Sequence, residues 1–131
     1  MVDLRTHDRI DTTLCGSPVE TGAGSSTVEM TVTPAMAVDA RGLAHGGFVF
    51  GLADHAAMIA VNHPTVVLAA AEVKFLKPVS AGDLLVATAN VTAETGRRRA
   101  VTVTVRRGGE PVFEGSFSCA VLERHILEGK S

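Results

Sequence analysis

The sequence has no tryptophan and no tyrosine, and its five phenylalanines bring aromatics to only 4% of 131 residues. Stacking platforms for bases or sugars, which need aromatic faces, are therefore missing. There are two cysteines, Cys15 and Cys119. They stand far apart with no second ligand pair near either, so neither a CxxC redox site nor a zinc cluster is spelled out, and two reduced thiols are expected. Neither sign of charge dominates: the formal net charge is −2, which gives no general attraction to nucleic acid. No charged-then-apolar segment opens the sequence. The longest apolar stretch carries Asp54 in its middle, at a cost of about 2.5–3.5 kcal/mol in a bilayer. These absences lead to the expectation of a cytoplasmic protein that spans no membrane, binds no nucleic acid and carries no metal.

Hydrophobic residues make up 46% and charged residues 20%, the composition of one soluble domain, expected over residues 1–131 with residues 1–16 as an arm or short helix. Two β segments are predicted at Val19–Ala23 and Thr27–Val32, separated by Gly22, Gly24, Ser25 and Ser26. Pro34 ends the second, and Ala35 to Ala44 reads as a loop. A helix then runs from the His45-Gly46-Gly47 triplet to Asn62, where His63-Pro64 stops it. Four further strands are predicted at Val66–Lys77, Leu84–Thr95, Arg99–Arg107 and Val112–Leu122. Val101, Val103 and Val105 alternate with Thr102, Thr104 and Arg106, the period of a strand covered on one face. The breaks are short enough for antiparallel hairpins. The predicted fold class is α+β, an antiparallel sheet wrapped around one long central helix. That helix is apolar on nearly every side and so demands cover on nearly every side, part of it from a second subunit.

The stretch Ala44 to Asn62 holds the candidate chemistry. Gly46 and Gly47 fall where the first helical N–H groups lack acceptors; without Cβ atoms they let an oxygen approach those donors, which can polarise a carbonyl. A tight turn alone would also use two glycines. Asp54 sits among Phe, Leu, Ala, Met and Ile, where an unpaired carboxylate is expensive and so is a candidate reactive group, unless a backbone N–H or a cation satisfies it. It lies seven residues after Gly47, on nearly the same helix face but roughly 10 Å further along. The two residues of one chain cannot easily serve one carbon, whereas two antiparallel helices could bring one chain's Gly47 to the other's Asp54. His45 is placed to cap the helix or orient a carbonyl, and His55, turned about 100° from Asp54, to line an interface.

Residues 45–54, HGGFVFGLAD, resemble the HGG-x-x-F-x-L-A-D signature of hotdog-fold acyl-CoA thioesterases of the phenylacetate-degradation type. Downstream, Ala71 to Val79 with Gly82-Asp83 resembles the same family's strand and its K-P-V-x-x-G-D turn. The resemblance implies a hotdog fold and a homodimer with sites at the interface, often a tetramer. It also implies that Gly47 donates its N–H to the thioester carbonyl, that His45 positions that region, and that Asp54 activates water or attacks as nucleophile. Coenzyme A then enters as part of the substrate, and no separate cofactor is implied. Asp39 stands six residues before His45, where family members often carry Asn; an ionised Asp accepts but does not donate hydrogen bonds. Phe48, Phe50, Met58 and Phe75 are candidates to line an acyl pocket, beside Gly46. The cluster Arg97, Arg98 and Arg99, with Arg106 and Arg107, is a candidate for CoA phosphates or a solvated hairpin tip; Lys74 and Lys77 are further candidates. The rival expectation is a non-catalytic acyl-CoA-binding or sensing module. A hydratase is disfavoured because its Asp-x-Asn-Pro-x-His motif is absent.

Overall fold

The computed structural model describes residues 1–128; the last three residues of the expected 1–131 domain lie outside the described residues. The elements in order are α1 (Thr12–Cys15), β1 (Ser17–Gly22), β2 (Ser25–Thr31), a 3-10 turn (Pro34–Met36), α2 (Gly46–Val61), β3 (Val66–Phe75), β4 (Leu84–Thr95), β5 (Arg98–Arg107) and β6 (Glu110–Val121). The predicted elements are all present, with ends displaced by one or two residues where turns and bulges intervene. The strands form one antiparallel sheet in the order β1-β2-β4-β5-β6-β3. After the helix the chain therefore crosses to the far edge, and β3 pairs with the last strand.

This sheet curls around α2. Val28 and Met30 of β2, Leu85, Ala87 and Ala89 of β4, Val101, Val103 and Val105 of β5, and Phe113, Phe117 and Cys119 of β6 face inward and are buried. The helix meets them with Val49, Leu52, Ala53, Ala56, Ala57, Met58 and Ile59. Small alanines on the helix let the strands approach, and burying each large side chain contributes about 1.5–3 kcal/mol. Phe50 packs on Phe117, with ring centroids 5.6 Å apart, and Met58 is 2% exposed. Met58 belongs to the core, and Phe50, half-buried, packs against it; neither lines the cleft beside Gly46.

The two sheet edges differ. β1 carries Pro18 and a register shift between Pro18 and Glu20, and the N-terminal arm lies along it through a bond from Val2 N–H to Thr21 O (3.0 Å). β3 pairs only with β6, and its outer side exposes Ala69, Ala70, Ala71 and Glu72.

The segment expected as an arm or short helix is both, an arm that ends in a single helical turn. Asp11 caps the one-turn α1 by accepting from Thr13 and Leu14 N–H. Asn62, in the left-handed conformation that ends α2 (φ 52°), accepts from Arg5 N–H and donates to Asp3 O, both at 2.7 Å. One residue thus closes the helix C-terminus with its backbone and ties down the arm with its side chain.

Candidate active site

The start of α2 is held between two chain segments. Ala44 N–H donates to Val79 O and His45 N–H to Met36 O, both at 2.9 Å, while Leu43 bridges Ser80 and Ala37 bridges Ala44. The turn that supplies Val79 and Ser80 is itself braced. Asp83 accepts from Ser80 N–H at 2.9 Å, and Arg107 donates to Pro78 O (2.9 Å), Asp83 (3.1 Å) and Glu110 (2.9 Å). The two sequence motifs are thus one structure, since the K-P-V-x-x-G-D turn holds the entrance of the HGG helix. Arg107 is occupied in this brace, which accounts for its presence without a ligand.

Beyond His45 the pattern of satisfied hydrogen bonds stops. Phe48 N–H reaches back to His45 O (3.1 Å), but among the described residues the Gly46 and Gly47 N–H groups have no acceptor. Gly47 is exposed and Gly46 half-buried, so two donors at the positive end of a helix face outward together. Both glycines lie close under neighbouring aromatic rings, so a side chain at either would make those rings shift. A Cβ on Gly46 would lie 3.1 Å from the Phe75 ring, and one on Gly47 would lie 2.9 Å from His45 Nε2. His45 occupies the capping position, but its side chain makes no capping hydrogen bond. Its ring instead folds over Gly47 and meets Phe48 edge-on, 6.0 Å between centroids.

Beside Gly46 opens a cleft of about 300 Å³, lined by Ala44, Gly46, Val49, Phe75, Leu76 and Val79. Phe75 and Leu76 are 56% and 40% exposed, an apolar surface at a polar helix end. Lys77 also lines the cleft, its ammonium 3.8 Å from Glu110.

Two turns along the helix, Asp54 is half-buried, and its Oδ1 is buried without a hydrogen-bond partner. Desolvation pushes its carboxyl up to about 6 from an ordinary 3.8. Among the described residues no cation offsets this, and Cys15 and Cys119 are the titratable groups that feel its charge. A carboxylate satisfied by the fold would show the opposite shift.

Asp39 turns away from this chemistry. Its Oδ1 accepts from Arg41 and Leu43 N–H at 3.0 and 3.3 Å, shaping the loop that leads to the helix. Arg97 pairs with Glu123 at 2.9 Å, Arg98 donates to Ser118 at 3.1 Å, and Arg99 binds Gly96 O at 2.8 Å. Through Ala120, Arg98 shares a cross-strand row with Val67, while Phe75 is at the other end of β3. At about 3.3 Å per residue that is roughly 25 Å. Within one chain the fold therefore brings His45, Gly46, Gly47, Phe48 and Phe75 together, sets Asp54 further along the same helix, and leaves Arg97 and Arg98 at the opposite end. His55 does not line an outer surface: it is 2% exposed and bonded to the Cys15 carbonyl at 3.0 Å. That contact joins residues 40 positions apart and leaves no local pattern by which to read it.

A six-stranded antiparallel sheet wrapped on one long helix is the hotdog fold. Residues 41–114 match the sequence profile of the thioesterase superfamily, and the chain belongs to that superfamily. It is similar to an uncharacterized protein of Pyrococcus horikoshii, whose crystal structure superposes with a TM-score of 0.95 at 51% identity, covering 96% of this chain and 97% of that one. It is 47% identical over 116 residues to methylthioribose-1-phosphate isomerase of Aquifex aeolicus, covering 88% of this chain and 25% of that protein. Over 86 residues it is 30% identical to transcription factor FapR of Caldanaerobacter subterraneus, covering 66% of this chain and 43% of that protein. The chain thus spans a quarter to less than a half of these two curated relatives.

Proposed function

We propose that the protein hydrolyses acyl-CoA thioesters, as an enzyme of the phenylacetate-degradation type. The observation that carries this reading is Asp54, a carboxylate kept half-buried with an unpaired oxygen, on the helix whose first turn presents two unpaired N–H groups. The Gly47 N–H, with Gly46 beside it, receives the thioester carbonyl oxygen and stabilises the negative charge that develops on it. Phe48, Phe75 and the cleft beside Gly46 take the apolar arm of the substrate, and His45 limits how the carbonyl can turn. As general base, Asp54 takes a proton from water while the water oxygen bonds to the carbonyl carbon. The tetrahedral intermediate then collapses, the C–S bond breaks, and CoA leaves as a thiol with the proton returned to sulfur. As nucleophile, the same carboxylate would bond to the carbonyl carbon as the C–S bond breaks and CoA leaves as a thiolate that takes a proton from solvent; water then opens the acyl anhydride to the free acid and Asp54. Neither route calls for a cofactor.

The site is shared between two copies. Asp54 lies about 10 Å along the axis from Gly47 of its own chain, and the free edge of β3 offers a second copy an antiparallel pairing. Such pairing runs the two helices antiparallel and sets one chain's Asp54 toward the other's Gly47. It also turns the second copy's Arg97 and Arg98 toward the Phe75 end, where CoA phosphates would emerge. The assembly is a homodimer, alone or doubled into a tetramer, working in the cytoplasm; no helix among the described residues is long and apolar enough to cross a membrane. The similarity to a transcription factor favours a second reading, in which the same cleft holds an acyl-CoA without cleaving it.

Thiol release from a panel of short, long and aromatic acyl-CoA thioesters, with wild type and Asp54→Asn side by side, tests the proposal. Turnover by wild type that is lost in the variant, with binding kept, supports hydrolysis through Asp54. Binding without turnover by wild type overturns hydrolysis in favour of the binding module.

A further inference from the structure

Asp54 and His55 leave the helix in different directions, and the second shapes the surroundings of the first. The His55 Nδ1 lies 3.0 Å from the Cys15 carbonyl oxygen, so this nitrogen carries the proton and donates. Nε2 is then a bare acceptor, buried with no partner, an arrangement suited only to the neutral ring. Burial likewise holds the imidazole below its ordinary 6.5. On its other side the ring is stacked by His7 of the arm, 6.1 Å between centroids and 21° from parallel.

The segment that His55 holds passes very close to the helix. Gly16 has φ +89°, and a Cβ there would come within 2.7 Å of Leu52 Cδ1 and 2.9 Å of Glu29 O. Only glycine fits that passage. The preceding Cys15 brings its sulfur within 3.9 Å of a Cβ built on Gly51. Gly51 stands one turn before Asp54, on the same face. The thiol registers that neighbour: burial pushes Cys15 up, followed by the charges of Asp11 and Asp54. Cys119, on β6, registers Asp54 as well.

We propose that His55 is a positioning residue for this site: its hydrogen bond to the Cys15 carbonyl holds the Cys15–Gly16 turn against α2, and that wall keeps water from one side of Asp54. The proposal rests on the reading of Asp54 as the reactive carboxylate. Among the described residues, Cys15 next to the α1 turn and Cys119 on β6 feel the charge of Asp54, Asp11 acts on Cys15, and His7 faces His55. Among the described residues none of these is a cation placed to stabilise the carboxylate; desolvation is what raises its proton affinity, and letting water in should lower it.

The test is the titration of the Asp54 side-chain carboxyl, followed by carbon NMR in the full chain for wild type, His55→Ala, His55→Asn and His55→Leu. The wild-type midpoint is expected near 6. In His55→Ala and His55→Leu it should fall by about one unit or more as water reaches the carboxylate. In His55→Asn it should stay near wild type, because the amide nitrogen of Asn lies where the imidazole Nδ1 does and can donate to the same carbonyl. Turnover should follow: the acid limb of kcat/KM moves to lower pH in His55→Ala, whereas a merely structural role would lower the whole profile without moving it. An unchanged midpoint in folded His55→Ala overturns the proposal. Should that variant fail to fold, an unchanged midpoint in folded His55→Leu, which keeps the side-chain bulk and lacks the donor to the Cys15 carbonyl, overturns it instead. Absence of wild-type turnover would sink the thioesterase reading while leaving the titration to decide the role of His55.

Discussion

The two ends of α2 are finished in opposite ways. At the C-terminus Asn62 adopts the left-handed cap, donates its N–H to Met58 O at 2.8 Å, and spends its side chain on Asp3 and Arg5. At the N-terminus His45 offers no side-chain cap, and the Gly46 and Gly47 donors are left facing a cleft. The chain can close a helix end when stability is all that matters. Under the proposed function, the end left open beside exposed Phe75 is where the thioester carbonyl is received, at the positive pole of the helix dipole.

The contrast can be broken most sharply at the open half of the helix. Asp54→Asn should reduce kcat by about 10²–10⁴-fold, the range for a lost general base, and stopped-time thiol release measures it. Gly47→Pro removes one free N–H from a turn where that N–H has no internal partner. Circular dichroism should show the helix retained while turnover falls by about 10²–10³-fold; loss of helix instead would mean that the first turn is not so tolerant.

Stability gives a smaller effect with a defined sign. The Asp54 carboxyl is raised to about 6 in the folded chain against 3.8 for the ordinary group, so between those values the folded chain holds more protons than the unfolded one. Ionised Asp54 is thus a penalty present above about pH 6, relieved as pH falls towards 4, and worth about 1–3 kcal/mol at most. Asp54→Asn should raise the urea midpoint at pH 7.5 and do little at pH 4; equal effects at both values would mean that Asp54 is not desolvated. Smallest is the closed end. Asn62→Ala should cost about 1–2 kcal/mol through the left-handed cap and its two arm bonds, and faster amide exchange confined to residues of the arm would report it.

Much of the architecture was readable because it is written locally. Val101, Val103 and Val105 announce a one-sided strand, His63-Pro64 stops the helix next to its observed end at Val61, and the HGG triplet marks its start. The open donors and the lone carboxylate were legible for the same reason. Contacts made at long range were not. No local period tells that β3 crosses to pair with β6, and the row that puts Arg98 level with Val67 follows from that pairing. His55 could be assigned a direction but not a neighbour, because the Cys15 carbonyl reaches it from across the fold. Asp39 and Arg107 announce charge, whereas their work is to shape a loop and to brace a turn.

The unequal sheet edges bear on stoichiometry. A sheet grows by adding strands wherever an edge is bare and straight. Here β1 is interrupted by Pro18, bent by its register shift and overlaid by the arm, whereas β3 has its outer side free. When two copies join through β3, each consumes the other's growing point, and the combined sheet is terminated at both ends by β1. On the proposed pairing, association through strands would be self-limiting at two, and the assembly would be kept from growing into a fibre.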